Sequence, residues 1–396
     1  MTNQIMFNEL LEYPLRSGVT VAAANRGSGI KMLNMGELFK FPRIPNVEMA
    51  RVDLEGFDDA RSLLRRHDLM FARRSLTLEG AGKCSIVEEI LEPTTWEGSI
   101  IRARIDPSIA DARFYFYYFN SPVGRRQMET IVEQVAAAGI RLTELGKLVL
   151  PFPSIESQHA IAEVLGALDD KIAANTKLAA KTDEFLAAQL SSSLREGHEV
   201  VPLATIATVN QVTVKPELGG QIRYIDIAAV GVGMHEIPAL IAWEDAPSRA
   251  RRRVNWGDTV WSTVRPNRRS HSLNLSDDQS LVGSTGLAVL TPTQVGFAYL
   301  YEVTRLPDFT SYLETVAEGS AYPAVRADRF GEAQVPLLGE NARHAFELLA
   351  APMRKHIHAL GEENRTLAAT RDALLPQLMS GALRVKDAEK VLEGVF

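Results

Sequence analysis

The chain has 396 residues, 46% of them hydrophobic and 23% charged, enough for two or three globular domains. Its 43 cationic and 49 anionic side chains give a formal charge of −6, which excludes a protein that coats nucleic acid indiscriminately. The single cysteine, Cys84, excludes a disulfide framework and any cysteine-based zinc cluster and fits a reducing cytosol.

In chain order, the first stretch carries acids and lacks a basic-then-apolar leader pattern, and no run of 18 apolar residues follows. A cytoplasmic protein without a membrane span is expected. Residues 1–150 are mixed, with a helical stretch from Phe114–Phe119 onward and a β-rich run at Lys147–Leu150. Residues 154–194 change character abruptly: Ala- and Leu-rich, charged and nearly free of glycine, they read as one helix. A second mixed stretch, 200–337, holds strand-like runs at Ile222–Ile227, Thr259–Val264 and Gly286–Leu290. A second helix follows over 340–383. The order is globule, helix, globule, helix.

That order reflects an internal duplication. Ile30-Lys31-Met32-Leu33-Asn34-Met35 resembles Ile222-Arg223-Tyr224-Ile225-Asp226-Ile227 at an offset of 192. Asp68-Leu69-Met70-Phe71 echoes Asp258-Thr259-Val260-Trp261 at 190, and His159-Ala160 matches His344-Ala345 at 185. Leu145-Gly146 and Pro151 recur as Phe330-Gly331 and Pro336, also at 185. Four matches in one order, drifting only by loop-sized amounts, indicate a repeated unit of roughly 190 residues.

Both helices carry a stripe of period 3.5, the seam of a coiled coil. In the first it runs Ile161, Leu165, Leu168, Ile172, Asn175, Ala179, Thr182, Leu186 and Gln189. In the second it runs Phe346, Ala350, Met353, Ile357, Leu360, Asn364, Leu367, Arg371, Leu374 and Leu378. Asn175 and Asn364 share an Asn-x-x-Leu-Ala-Ala setting. A buried, paired seam Asn fixes register and partner, and the alternative, an Asn at the seam's edge, stays open. Pro376 predicts a kink or a stop near Leu375, whereas Pro352 is tolerated near the helix start. Ser154–Leu194 as helix spans about 60 Å, the work of a spacer.

Signatures of catalysis fail in turn. Gly80-Ala81-Gly82-Lys83 ends like a phosphate-binding loop, but Thr77 and Cys84 stand where glycine and a hydroxyl residue are needed. Gly231-Val232-Gly233 lacks the third glycine of a dinucleotide fingerprint. Asp169-Asp170-Lys171 lies in mid-helix without a partner carboxylate, and the eight histidines form no His-x3-His pair for a metal. No nucleophile, base and orienting group come together, so a non-catalytic chain is expected.

The charge is unevenly distributed. Residues 249–271 hold seven arginines against Asp258, a net of +6, and 61–83 hold five arginines and Lys83 against Asp68 and Glu79, a net of +4. The first helix region, 154–199, carries four bases against eight acids. Each basic stretch sets an Asp-led turn, a short apolar strand and then an Arg cluster: Arg73 and Arg74 with Lys83, and Arg265, Asn267, Arg268 and Arg269. Arginine suits bidentate contact with guanine edges and phosphates, so these residues are the candidate DNA contacts. Two similar but unequal Arg-bearing globules on a helical spacer suit two different half-sites on one duplex.

Leu150-Pro151-Phe152-Pro153-Ser154-Ile155-Glu156-Ser157-Gln158-His159-Ala160-Ile161-Ala162-Glu163-Val164-Leu165, continuing to Leu168-Asp169-Asp170-Lys171-Ile172, resembles the first helical region of the specificity subunit of type I restriction-modification systems. Arg371-Asp372-Ala373-Leu374-Leu375-Pro376-Gln377-Leu378-Met379-Ser380-Gly381-Ala382-Leu383-Arg384-Val385 resembles the end of that family's second helical region. The resemblance covers essentially the whole chain. Departures are Glu340 and Arg343 where a Glu-x-Gln is usual, four extra residues before Asn364, and an atypical first 20 residues.

The resemblance implies an α+β protein with a pseudo-twofold internal repeat: two mixed α/β target recognition domains separated by two long helices that form an antiparallel coiled coil. The domains would be 1–153 and 197–338, the helices 154–196 and 339–385, and 386–396 a tail. Each recognition domain would read half of a bipartite double-stranded DNA target. The helices, through Ile161, Leu165, Leu168, Ile172, Asn175, Met353, Ile357, Leu360, Asn364, Leu367, Leu374 and Leu378, would set the spacing and dock two methyltransferase subunits. Restriction subunits would join them. This chain would bind no cofactor or metal itself, with S-adenosylmethionine and ATP with Mg on the partners. The rival reading from another class is a coiled-coil adaptor that joins protein partners.

Overall fold

The computed structural model describes residues 3–54, 60–134, 138–215, 219–320 and 322–393. The chain forms two compact units: Met1–Ala173 with Arg365–Phe396, and Ala174–Asn364.

In the first unit, strand Asn3–Met6 pairs antiparallel with Val149–Phe152, so the globule closes at its own start and end. A five-stranded sheet runs in the order Arg16–Ser17, Ile100–Ala103, Leu69–Ala72, Cys84–Val87, Arg43–Ile44. Its three middle strands are buried on both faces, which is why they read as unbroken apolar runs without alternation. A second sheet sets Arg26–Leu33 between Ala50–Val52 and, in parallel, Thr94–Trp96. Helix Ala112–Asn120, capped by the Asp111 carboxylate on the Arg113 N–H, drives six aromatic residues into the core. There Phe7, Phe71 and Phe119 meet edge to face at 5.0–5.9 Å.

The second unit repeats this plan. Glu199–Pro202 pairs with Gln334–Leu337 to close the globule. One four-stranded sheet runs Ala207–Val209, Leu287–Pro292, Thr259–Ser262, His271–Leu273. The other runs Leu240–Ala242, Gln221–Ile225, Leu281–Ser284, Ala250–Arg253, with Gln221–Ile225 parallel to Leu281–Ser284 as Arg26–Leu33 is to Thr94–Trp96. The duplication extends to single hydrogen bonds. The Tyr115 hydroxyl donates to the Pro151 carbonyl (3.1 Å) and the Tyr299 hydroxyl to the Pro336 carbonyl (2.9 Å). Gln158 donates to the Pro153 carbonyl and Arg343 to the Leu338 carbonyl, so the unusual Arg343 keeps the contact of its counterpart.

The long helices span Ile155–Glu196 and Glu340–Ser380. In the first unit, Ile161, Leu165 and Leu168 join Leu367, Leu374, Leu375 and Leu378 in one core with the globule's aromatics. Each such leucine buried contributes about 1.5–3 kcal/mol. In the second unit, Leu186 and Leu190 share a core with Phe346 and Ala350. Asn175 meets Asn364 there, and Asp183, further along, meets Arg354, further back, so the helices pair antiparallel. Ile172, Met353 and Ile357 are half-buried and Leu360 buried, as their seam positions require.

Of the kink or stop expected near Leu375, the stop is not found. The second helix does not stop near Leu375 but continues past Pro376 to Ser380. Leu375 and Leu378 are held in the first unit's core on either side of the proline, and that burial outweighs one missing backbone bond close to the helix end. In place of the tail, a short helix forms at Val385–Glu393, with Ala388 buried in the same core, and 394–396 lie outside the described residues.

Candidate nucleic-acid interface

Both Arg clusters are launched by the same device. Asp68 is buried and accepts from the Arg65 backbone N–H at 2.7 Å; Asp258 is buried and accepts from the Asn255 N–H at 2.7 Å. Each carboxylate thus fixes a tight turn three residues back and feeds the central strand, Leu69–Ala72 or Thr259–Ser262. Their second partners differ. Asp68 is clamped by Arg104 at 2.6 and 2.7 Å, whereas Asp258 accepts from the Thr291 hydroxyl at 2.6 Å and is pushed above the usual carboxylate value by burial.

Where the strands end, each cluster meets the segment preceding its globule's last helix. In the first unit Arg74–Ser75 pairs with Ala138–Gly139, and a side chain on Gly139 would come within 2.9 Å of the Arg73 carbonyl. In the second, the Arg265 N–H donates to the Pro323 carbonyl at 2.7 Å, and Val264 bridges Ala324. The topology therefore sets Ala138 and Gly139 beside Ser75 and Arg74, and Pro323 and Ala324 beside Arg265 and Val264.

The predicted contacts fall into different classes. Arg74 is exposed, and Arg73 is half-buried with one long bond, 3.5 Å, to the Ser17 hydroxyl. Lys83 is turned inward: its ammonium donates to the Phe39 carbonyl at 3.0 Å and lies over the Phe39 ring, and burial, with Arg125 nearby, lowers its pKa. In the second unit, Arg265 and Arg269 both adopt left-handed backbone, φ 53°, on either side of the 3-10 turn Pro266–Arg268. The Arg265 guanidinium stacks 4.6 Å from the Tyr322 ring, and Arg269 donates to the Arg305 carbonyl at 2.6 Å. Asn267 and Arg268 form the exposed tip and have no side-chain hydrogen bond or ion pair among the described residues. Strained backbone of this kind persists only when surrounding contacts over-determine it, as they do here.

Behind the turn, His271 is buried, stacked on Trp261 at 4.8 Å, with Nδ1 2.6 Å from the Arg269 carbonyl. Burial pulls its pKa down to about 4, so it stays neutral at neutral pH and adds nothing to the positive stretch. Other cations counted in the sequence are internally engaged: Arg65 with Glu12, Arg66 with Glu88, and Arg253 with the Gln279 carbonyl. The sequence reading missed Tyr322, which is 70% exposed beneath Arg265; a lone Ala-Tyr-Pro far along the chain gives no local signal.

The seam is built around its asparagines. Asn175 is buried, and its amide donates to Asn364 Oδ1 at 3.0 Å and to Glu363 at 2.8 Å. The Asn364 amide donates to the Thr176 hydroxyl at 3.2 Å. Asn175 is therefore a paired seam residue rather than an edge one. Among the described residues there is no group of three or more metal-ligating side chains, and no helix is long and apolar enough to cross a membrane.

Two duplicated α/β units each display arginines at the end of a central strand and each hold a stretch of both long helices. Residues 64–182 match the family model of the type I restriction modification DNA specificity domain, a span that includes Arg73, Arg74, Lys83 and the first helix as far as Thr182. The fold as a whole is similar to that of the type I restriction-modification S subunit from M. genitalium, at 14% identity over 95% of each chain and a TM-score of 0.59. The HsdS subunit from Thermoanaerobacter tengcongensis aligns at 14% identity over 96% of this chain and 97% of that one, TM-score 0.34. A chain from a structure of type I R-M complex assembly and conformational transition aligns at 16% identity over 96% and 98%, TM-score 0.38. No curated protein matches.

Proposed function

We propose that this chain is the sequence-specific DNA-binding subunit of a type I restriction-modification complex, each globule reading one half of an asymmetric bipartite target. The observation that carries this reading is the Asp-turn, strand and Arg cluster built twice, once inside the DNA specificity domain at 64–182. Phosphate contacts from the exposed arginines would position the duplex, and the tips of the turns, Asn267 and Arg268 in the second unit, would discriminate bases.

The chemistry is assigned to partners: methyltransferase subunits with S-adenosylmethionine docked on the helices, and restriction subunits with ATP and Mg. The support for a non-catalytic role is the match of residues 64–182 to a DNA specificity domain. The place of action proposed is the cytoplasm, where cellular DNA and such partners meet.

Selection of duplexes from a random pool by the chain with its methyltransferase subunits tests the reading. Two short conserved blocks separated by an unconstrained gap are expected; recovery of no sequence preference would refute it. Inserting one heptad into each long helix should lengthen that gap, and an unchanged gap would remove the spacing role.

A further inference from the structure

The two places where a globule grips the helix pair are built on equivalent residues with inverted charge. In the first unit, Asp169 of the first helix accepts from the Tyr117 hydroxyl and from Arg371 of the second helix, both at 2.7 Å. Arg371 also holds its neighbour Asp372. In the second unit, the repeat places Tyr301 where Tyr117 stands and Arg354 where Asp169 stands, at offsets of 184 and 185. Arg354 lies over the Tyr301 ring at 4.7 Å, donates to Asp183 of the first helix at 2.6 Å and binds Glu302, while Arg305 holds Asp183 at 2.6 and 2.7 Å. Asp169, Arg354, Glu302 and both tyrosines are buried.

The first helix is thus acidic at both grips, Asp169 and Asp183, and the second is basic at both, Arg354 and Arg371. Asp183 follows Asn175 by eight residues and Arg371 follows Asn364 by seven, so the two stand within one residue of equivalent places when the helices are aligned on their asparagines. The duplication otherwise makes the two seams alike, with apolar residues and an Asn at matching places. On the seam alone, the first helix would also fit the first helix of a second copy. Pairing like helices would bring Asp169 to Asp183, or Arg354 to Arg371, beside a buried tyrosine, where like charges have little water to screen them.

We infer that the charge inversion at Asp169–Arg371 and Arg354–Asp183 selects the pairing of this chain's first helix with its own second helix and rejects like-with-like pairing between two copies. The complementary pattern acts as flanking charges do in choosing coiled-coil partners: the right pair is attracted and the wrong pair is repelled.

The test uses the full chain and leaves its net charge unchanged. Exchanging Asp183→Arg with Arg371→Asp makes both internal grips like-charged and makes like-helix pairing between copies complementary. Light scattering after gel filtration, with native mass spectrometry, should show the wild type at 43.6 kDa and this variant at twice that mass. The sixfold exchange, adding Asp169→Arg, Arg354→Asp, Glu302→Arg and Arg305→Glu, restores internal complementarity, because Glu302 and Arg305 face Arg354 and Asp183, and should return the monomer. A double exchange that stays monomeric with an unchanged Tm overturns the inference, as does a wild type that self-associates as readily as the double exchange. If the double exchange does not fold, the sixfold exchange decides: a folded monomer supports charge selection, and failure to recover one overturns it.

Discussion

Replacing Asn175 by alanine removes the two hydrogen bonds that its amide donates, to Asn364 at 3.0 Å and to Glu363 at 2.8 Å. A neutral hydrogen bond contributes about 1 kcal/mol and one to a charged group about 1.5–3 kcal/mol. Asn364 and Glu363 are only half-buried and recover water, so the expected cost is about 2 kcal/mol. The double substitution Asn175→Leu with Asn364→Leu should behave oppositely. It removes both polar groups together and extends the leucine seam, so stability should rise at least about 2 kcal/mol above the single variant, to the wild-type value or beyond. Urea unfolding and thermal melts measure both. For a unit of about 190 residues, 2 kcal/mol corresponds to roughly 4–8 °C in Tm. An Asn175→Ala variant melting with the wild type, or a double variant less stable than the single one, would refute the view that this pair trades stability for register.

Arg268→Ala should weaken duplex binding by about 1–3 kcal/mol if it reads a base, or lower the salt slope by about one if it meets a phosphate. Lys83→Ala should leave binding near wild type in the same anisotropy titrations, because its ammonium is already held by the Phe39 carbonyl; equal losses for both would contradict the inward placement of Lys83. His271 supplies a pH signature. Its folded pKa of about 4 lies below the unfolded value of about 6.5, so the unfolded chain binds the proton first. Stability should therefore fall as pH drops from about 6.5 towards 4, by up to about 3 kcal/mol, and His271→Phe should flatten that limb of the melting curve. Arg354→Met leaves Glu302 buried without its main partner and should cost about 3–5 kcal/mol, read by chemical unfolding, with Glu302→Gln in the same chain recovering part of it.

The sequence by itself determined the helix seams, the duplication and the Asp-strand-Arg order, because these are local patterns. A 3.5-residue period places Leu165, Leu168, Leu360 and Leu367 on one face whatever they pack against, and all four are buried. Only the tertiary structure decided which cations are available. Arg66 meets Glu88, Lys83 meets the Phe39 carbonyl, and Arg265 meets Tyr322 from 57 residues away. Charge counted along a chain ignores pairings between distant segments, and those pairings separate an arginine that holds the fold from one that faces a ligand. The same limit applied to the asparagines: the repeat made Asn175 and Asn364 equivalent, but whether they lie inside the seam or at its edge depended on how the second helix packs on the first.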